Sequence, residues 1–252
     1  MKKLFLIALA APLLLLPGGA KASIVQASPF FLDLGAEGFG DAHRLLTLQT
    51  TPLEVGSTVA GPGGTTTLTG DAVSGADKSA VANAGTLGWL TGANVGIGLN
   101  TNQTGNSTGL AVNAIDLSLY TTTGALIQTF SLATPFTLTA AQLKLQQGNG
   151  NAVFNFGLDA IEQAQFTADL LASGGASNVF VGLGSSLGCT SGSLSCQADD
   201  GADSFLAFNQ VNPVPLPATA QMFLGGLLMF GGFLWVRNRK ERHGSVSMLA
   251  TA

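Results

Sequence analysis

Few residues of this chain have the types and spacing that chemistry needs. Cys189 and Cys196 enclose the six residues TSGSLS. That spacing excludes a Cys-x-x-Cys redox centre, and with no histidine close by the pair lacks the partners of a metal site. In a chain that carries an export leader, an even pair across a flexible Ser and Gly loop predicts one disulfide. Asp199, Asp200 and Asp203 follow at once and form the one acidic cluster. They read as a solvated turn; the alternative is Ca²⁺ held by carboxylates and backbone carbonyls, although the Asp-x-Asp-x-Asp-Gly order of an EF loop is absent. Of the two histidines, His243 lies beyond a long apolar run, leaving His43 beside Arg44 at the start of an apolar strand. It reads as an exposed neighbour and not as a general base. The acids are too scattered for a glycosidase pair. Trp89 has the type to stack on a sugar ring, but a large indole in a small domain more often fills the core. The inventory predicts no enzyme and no cofactor.

The elements that must position these groups are β-strands. Charged residues make up 10% of the 252 positions while Gly supplies 34, so Thr, Ser, Asn and Gln carry the polarity, a balance that favours strands and turns. Between residues 23 and 211 the only cations are Arg44, Lys78 and Lys144, against 13 acids, a difference of 3 − 13 = −10. Such a surface repels nucleic acid and other polyanions and keeps an exported protein soluble. Leu110, Val112 and Ala114 alternate, then the parity changes to Ile115, Leu117 and Leu119, which predicts a strand with a bulge at the change of phase. Thr121-Thr122-Thr123-Gly124 turns it into a return strand with Leu126, Phe130 and Leu132 on one face. Ala152, Phe154, Phe156 and Leu158 alternate without error, and Val179, Val181, Leu183 and the segment from Ser204 to Val211 follow. Thr139 with Gln142, and Asp159 with Glu162, have capping-box spacing, and Ile161, Ala164, Ala168 and Leu171 recur at helical intervals until Gly174-Gly175. The expected fold is mainly β: an antiparallel β-sandwich, jelly-roll-like, with one or two short helices.

Two addresses flank this 23–211 domain. Lys2 and Lys3 precede the apolar Leu4 to Leu16, and Ala20-Lys21-Ala22 then supplies an Ala-x-Ala site, so residues 1–22 read as a secretory signal peptide that leaves Ser23 as the mature start. At the other end, residues 212–242 hold a proline-stiffened approach, an apolar run from Ala218 to Val236, and the basic cluster Arg237, Arg239, Lys240 and Arg242. As a helix the apolar run spans roughly 28 Å, enough to cross a hydrocarbon core. The cations hold its carboxyl end, with residues 243–252, on the cytoplasmic side. The expectation is a single-pass inner-membrane precursor whose amino-terminal bulk lies outside.

The stretch Val214-Pro215-Leu216-Pro217-Ala218, followed by the Gly-rich apolar run and the basic cluster, resembles the VPLPA variant of the PEP-CTERM sorting signal. The resemblance covers about 30 residues. It implies recognition by an exosortase, a multi-span membrane cysteine protease, followed by removal of the helix and release or attachment outside the cell, in association with exopolysaccharide or biofilm. On that reading the chain is a substrate, a non-enzymatic surface or matrix protein. Two alternatives stand beside it. Leu216-Pro217-Ala218-Thr219-Ala220 differs by one residue from the Leu-Pro-x-Thr-Gly signal that sortases join to cell wall. The domain is otherwise a membrane-anchored carbohydrate- or calcium-binding module.

Overall fold

The computed structural model describes residues 23–33, 42–75, 77–103, 107–146, 152–190, 193–199 and 201–210. The expected leader, Asp200, the Val214 to Ala218 motif, the apolar run and the basic cluster lie outside them. Among the described residues no helix is long and apolar enough to cross a membrane.

Twelve strands carry the fold: β1 (Ser23–Asp33), β2 (His43–Leu48), β3 (Leu53–Ala60), β4 (Thr66–Gly70), β5 (Ala82–Asn83), β6 (Val95–Asn100), β7 (Gly109–Thr121), β8 (Leu126–Leu132), β9 (Phe136–Thr139), β10 (Ala152–Leu158), β11 (Val179–Gly188) and β12 (Asp203–Asn209). The chain is mainly β, as its composition predicts. Helix α1 (Ala140–Leu143) and helix α2 (Ala160–Ala172) are the two short α-helices.

The strands form one hydrogen-bonded path, β2-β12-β6-β10-β1-β8-β7-β11-β3-β4, with β5 added to β11 and β9 to β7. The expectation of purely antiparallel sheets needs correcting, because β1 runs parallel to β8 through Ser23↔Ser131 and Ile24↔Leu132. The sheet is mixed, and it curls until its two ends meet: Leu48 of β2 bridges Ala72, just after β4, and the Gln49 N–H reaches the Asp71 carbonyl at 3.3 Å. Curling lets one sheet bury a core that a flat one would leave half exposed. Leu45, Leu48, Ile97, Leu117, Phe156 and Phe205 are among the side chains sealed inside it.

Strand β7 has its bulge where the alternation changes phase. Ser186 faces Ala114 but Leu187 faces Val112, so Asn113 is the extra residue, and Leu110, Val112, Ile115, Leu117 and Leu119 all point into the core. The β7–β8 hairpin closes over Gly124, whose φ of +83° suits glycine alone, with the Gly124 N–H on the Thr121 carbonyl at 3.0 Å. A second irregularity, Leu119↔Gln128 followed by Tyr120↔Leu126, leaves Leu126 exposed, contrary to the expected single face.

The helices show how burial overrides spacing. At α1 the capping box is complete, with Thr139 and Gln142 each bonding the other's backbone. At α2 only half of it forms. Asp159 Oδ1 accepts from the Ile161 and Glu162 N–H groups (2.8 and 2.9 Å), while the Asp159 N–H is directed to the Ser23 carbonyl at 3.3 Å, so Glu162 is not the reciprocal cap its spacing suggests. The buried stripe of α2 is Glu162, Phe166 and Leu170, not Ile161, Ala164, Ala168 and Leu171; Ile161 and Leu171 are exposed. Phe166 stacks at the core against Trp89 and Phe130, and a buried aromatic outweighs two aliphatic side chains in setting the helix's rotation.

Candidate functional site

The seam where the sheet's ends meet holds a pair of buried carboxyls. Asp203 opens β12 opposite Leu48, and Glu54 is the second residue of β3 opposite Leu187. Both are 0% exposed. Glu54 Oε1 accepts the Thr50 N–H at 3.0 Å, which folds the β2–β3 connection back onto the strand. Asp203 Oδ1 accepts the Asn102 N–H at 2.7 Å, and its two oxygens face Gln103 Nε2 at 3.2 and 3.0 Å. The two carboxyls act on each other electrostatically, while Glu54 Oε2 has no hydrogen-bond partner.

Two carboxylates this close in a dry site do not both ionise. Burial, reinforced by the Asp203 charge, pushes Glu54 up to about 9, with the Thr50 N–H opposing the shift and Asp71 adding to it. Burial likewise raises Asp203 to about 7, held back by the Asn102 N–H and Gln103. Both carboxyls therefore hold a proton more readily than free ones, and Glu54, which has one backbone donor where Asp203 has the Asn102 and Gln103 donors, is the more easily protonated of the pair. No substrate reaches carboxyls with no exposed surface. The arrangement is a clasp of two buried, mutually coupled carboxyls, one on β3 and one at the start of β12.

The disulfide loop is tied to the same place. Cys189 and Cys196 are bonded, with Cα atoms 5.6 Å apart, as their spacing predicts. The Cys189 and Ala198 N–H groups both reach the Pro52 carbonyl (3.1 and 2.9 Å), two residues before Glu54. Asp199 was expected in a solvated turn with Asp203, yet both are buried. The Asp199 N–H donates to Gln103 Oε1 at 3.0 Å, and its Oδ1 accepts from Gln197 at 2.9 Å. Gln103 thereby links Asp199 to Asp203. Among the described residues no three His, Cys, Asp or Glu groups are placed to hold a metal ion.

The remaining candidates fall elsewhere. His43 Nε2 lies 3.2 Å from the Ala80 carbonyl, and Arg44 donates to the Asp77 carbonyl at 2.7 Å, so neither side chain faces the clasp. Trp89 is completely buried and its indole N–H donates to the Phe208 carbonyl at 2.9 Å, which makes it core and not a sugar platform. Ser23 is the first residue of β1; Ala20 and Ala22, like Val214, Pro215, Leu216, Pro217, Ala218, Arg237, Arg239, Lys240 and Arg242, lie outside the described residues.

Glu54 escaped the sequence reading. Leu53, Val55 and Val59 would be expected inward, but Gly56, Thr58 and Ala60 share the buried parity of Glu54 while Val55 is exposed. The available signal was isolation: from Leu45 to Gly70 Glu54 is the only charged residue. No protein-family model, curated protein or solved structure matches this chain.

Proposed function

We propose that the protein is an exported, non-enzymatic surface or extracellular-matrix protein, held for a time in the inner membrane and processed by an exosortase-type protease at its carboxyl-terminal signal. The observation that carries this reading is the order of the tail: Val214 to Pro217, then the 19 residues from Ala218 to Val236 of which only Thr219 and Gln221 are polar, then four cations within six positions. A buried core helix seldom ends in such a cluster. The leader with its Ala20-Lys21-Ala22 site supplies the matching address at the other end.

A disulfide and a shortage of cations suit an oxidising exterior. We read the curled sheet as a jelly-roll-like wrap of two facing layers, the architecture of a durable matrix module. Association with exopolysaccharide belongs to the same proposal. Among the described residues none of the exposed large apolar side chains is aromatic, which weighs against a lectin-like stacking face.

Replacing Pro215 and Pro217 with alanine tests the reading. In a host that carries an exosortase, the wild-type chain leaves the membrane fraction and the double variant accumulates there at precursor mass. Equal release of both chains would sink the proposal.

A further inference from the structure

Glu162, the third residue of α2, is the least provided-for group in the described fold. It is 0% exposed, and no hydrogen bond of good geometry reaches either carboxylate oxygen, the nearby Asp159 N–H being directed to the Ser23 carbonyl. Burial pushes it up to about 8; the Asp159 carboxylate adds to the shift and the Asp159 N–H opposes it. That N–H identifies the place. It donates to the Ser23 carbonyl at 3.3 Å, and Ile24 stands opposite Leu158 in the β1–β10 register. The carboxyl of Glu162 and the start of β1 thus have the Asp159 N–H as a common neighbour. Asp159, already bonded to two helix N–H groups, is the one charged neighbour acting on it; β8, β10 and the Gly92–Asn94 turn, which pack around α2, contain no titratable residue. A buried carboxylate without a partner is costly, and a cation would relieve it.

We propose that leader removal supplies that cation: the new α-ammonium of Ser23 pairs with the Glu162 carboxylate and locks β1 to α2. The inference rests on the reading of residues 1–22 as a leader. Hydrolysis of the Ala22–Ser23 bond adds hydroxyl to the Ala22 carbonyl and hydrogen to the Ser23 nitrogen. The ordinary α-amino pKa is about 7.7–8.0, so at neutral pH the amine binds a further proton while Glu162 gives one up. Ser23 is already in register with Ser131, so β1 needs no rearrangement. Pairing lowers the Glu162 pKa and raises that of the amine. The stability gained is then present between those two values and lost as pH rises through the amine's.

The test compares the exported product with one from a chain carrying an extra alanine inserted after Ala22, intact mass fixing the first residue of each. One added residue moves the ammonium by about 3.5 Å. Carboxyl carbon resonances followed against pH should place Glu162 in the ordinary carboxylate range when the chain starts at Ser23, and near 8 when it starts one residue earlier. Glu162→Gln should abolish the difference in Tm between the two products; if that variant does not fold, the titration alone decides. Identical titration of Glu162 in two products of the correct masses overturns the pairing and spares the leader. A wild-type product that does not begin at Ser23 overturns both.

Discussion

At the scale of single residues, the Glu54–Asp203 clasp makes stability depend on pH in a direction unusual for acids. Unfolded, the two side chains titrate near 4.3 and 3.9; folded, burial holds Glu54 up to about 9 and Asp203 up to about 7. The native state thus keeps protons that the unfolded state releases. Stability is full below about pH 4 and falls as pH climbs toward 9. Glu54→Gln substitutes a neutral amide that cannot ionise. Its Tm should match the wild type near pH 5 and exceed it by on the order of 10 °C at pH 9, which thermal unfolding across pH would show. Asp203→Asn should differ: it weakens the acceptor of the Asn102 and Gln103 donors and should cost about 1–3 kcal/mol at every pH. Neither partner is legible in the sequence as half of a clasp, because sequence shows charges but not which strands a curled sheet brings together. Asp203 stands in an acidic run, and Glu54 sits 149 positions before it.

At the scale of elements, α2 and the disulfide loop give the clearest contrasts. Phe166 and Leu170 fill the core side of the helix, so Phe166→Ala should cost about 3–5 kcal/mol in chemical denaturation. Leu171→Ala, on the exposed side, should stay within about 0.5 kcal/mol. The reverse order would mean that the helix is rotated as its spacing first suggests. Replacing both Cys189 and Cys196 with serine opens a short loop, and chain entropy sets the loss at about 2–3 kcal/mol. The same measurement reads it. Local pattern was most legible where one rule acted alone. The β7 bulge, the turn at Gly124, the Thr139 cap and the disulfide were all readable from adjacent residues. Legibility failed where a distant element decided the outcome. The β1 carbonyl of Ser23 takes the N–H that would have completed the Asp159 box, and the offset in the β7–β8 register turns Leu126 outward. The parallel β1–β8 pairing had no local signature either, since its partners are more than 100 residues apart.

At the scale of the whole molecule, the described residues form a disulfide-tied β fold from Ser23 to Gln210, and we propose that a leader and a membrane handle flank it and are both removed. Among the described residues the sheet closes on a seam where Glu54 and Asp203, two of the buried polar groups, face each other, and a closed sheet fits the role proposed for the protein outside a cell. The balance of 3 cations against 13 acids in residues 23–211 further predicts weak retention of the mature domain on polyanionic resin at any salt concentration. Strong binding that fades with salt would instead reveal a basic face. The central claim concerns the tail, and intact mass of the mature protein from a host with and without exosortase tests it most directly. The account predicts a product that starts at Ser23 and lacks Phe223 through Arg242 when the protease is present, and a membrane-bound chain that keeps them when it is absent. A soluble product retaining those residues in both hosts would contradict it.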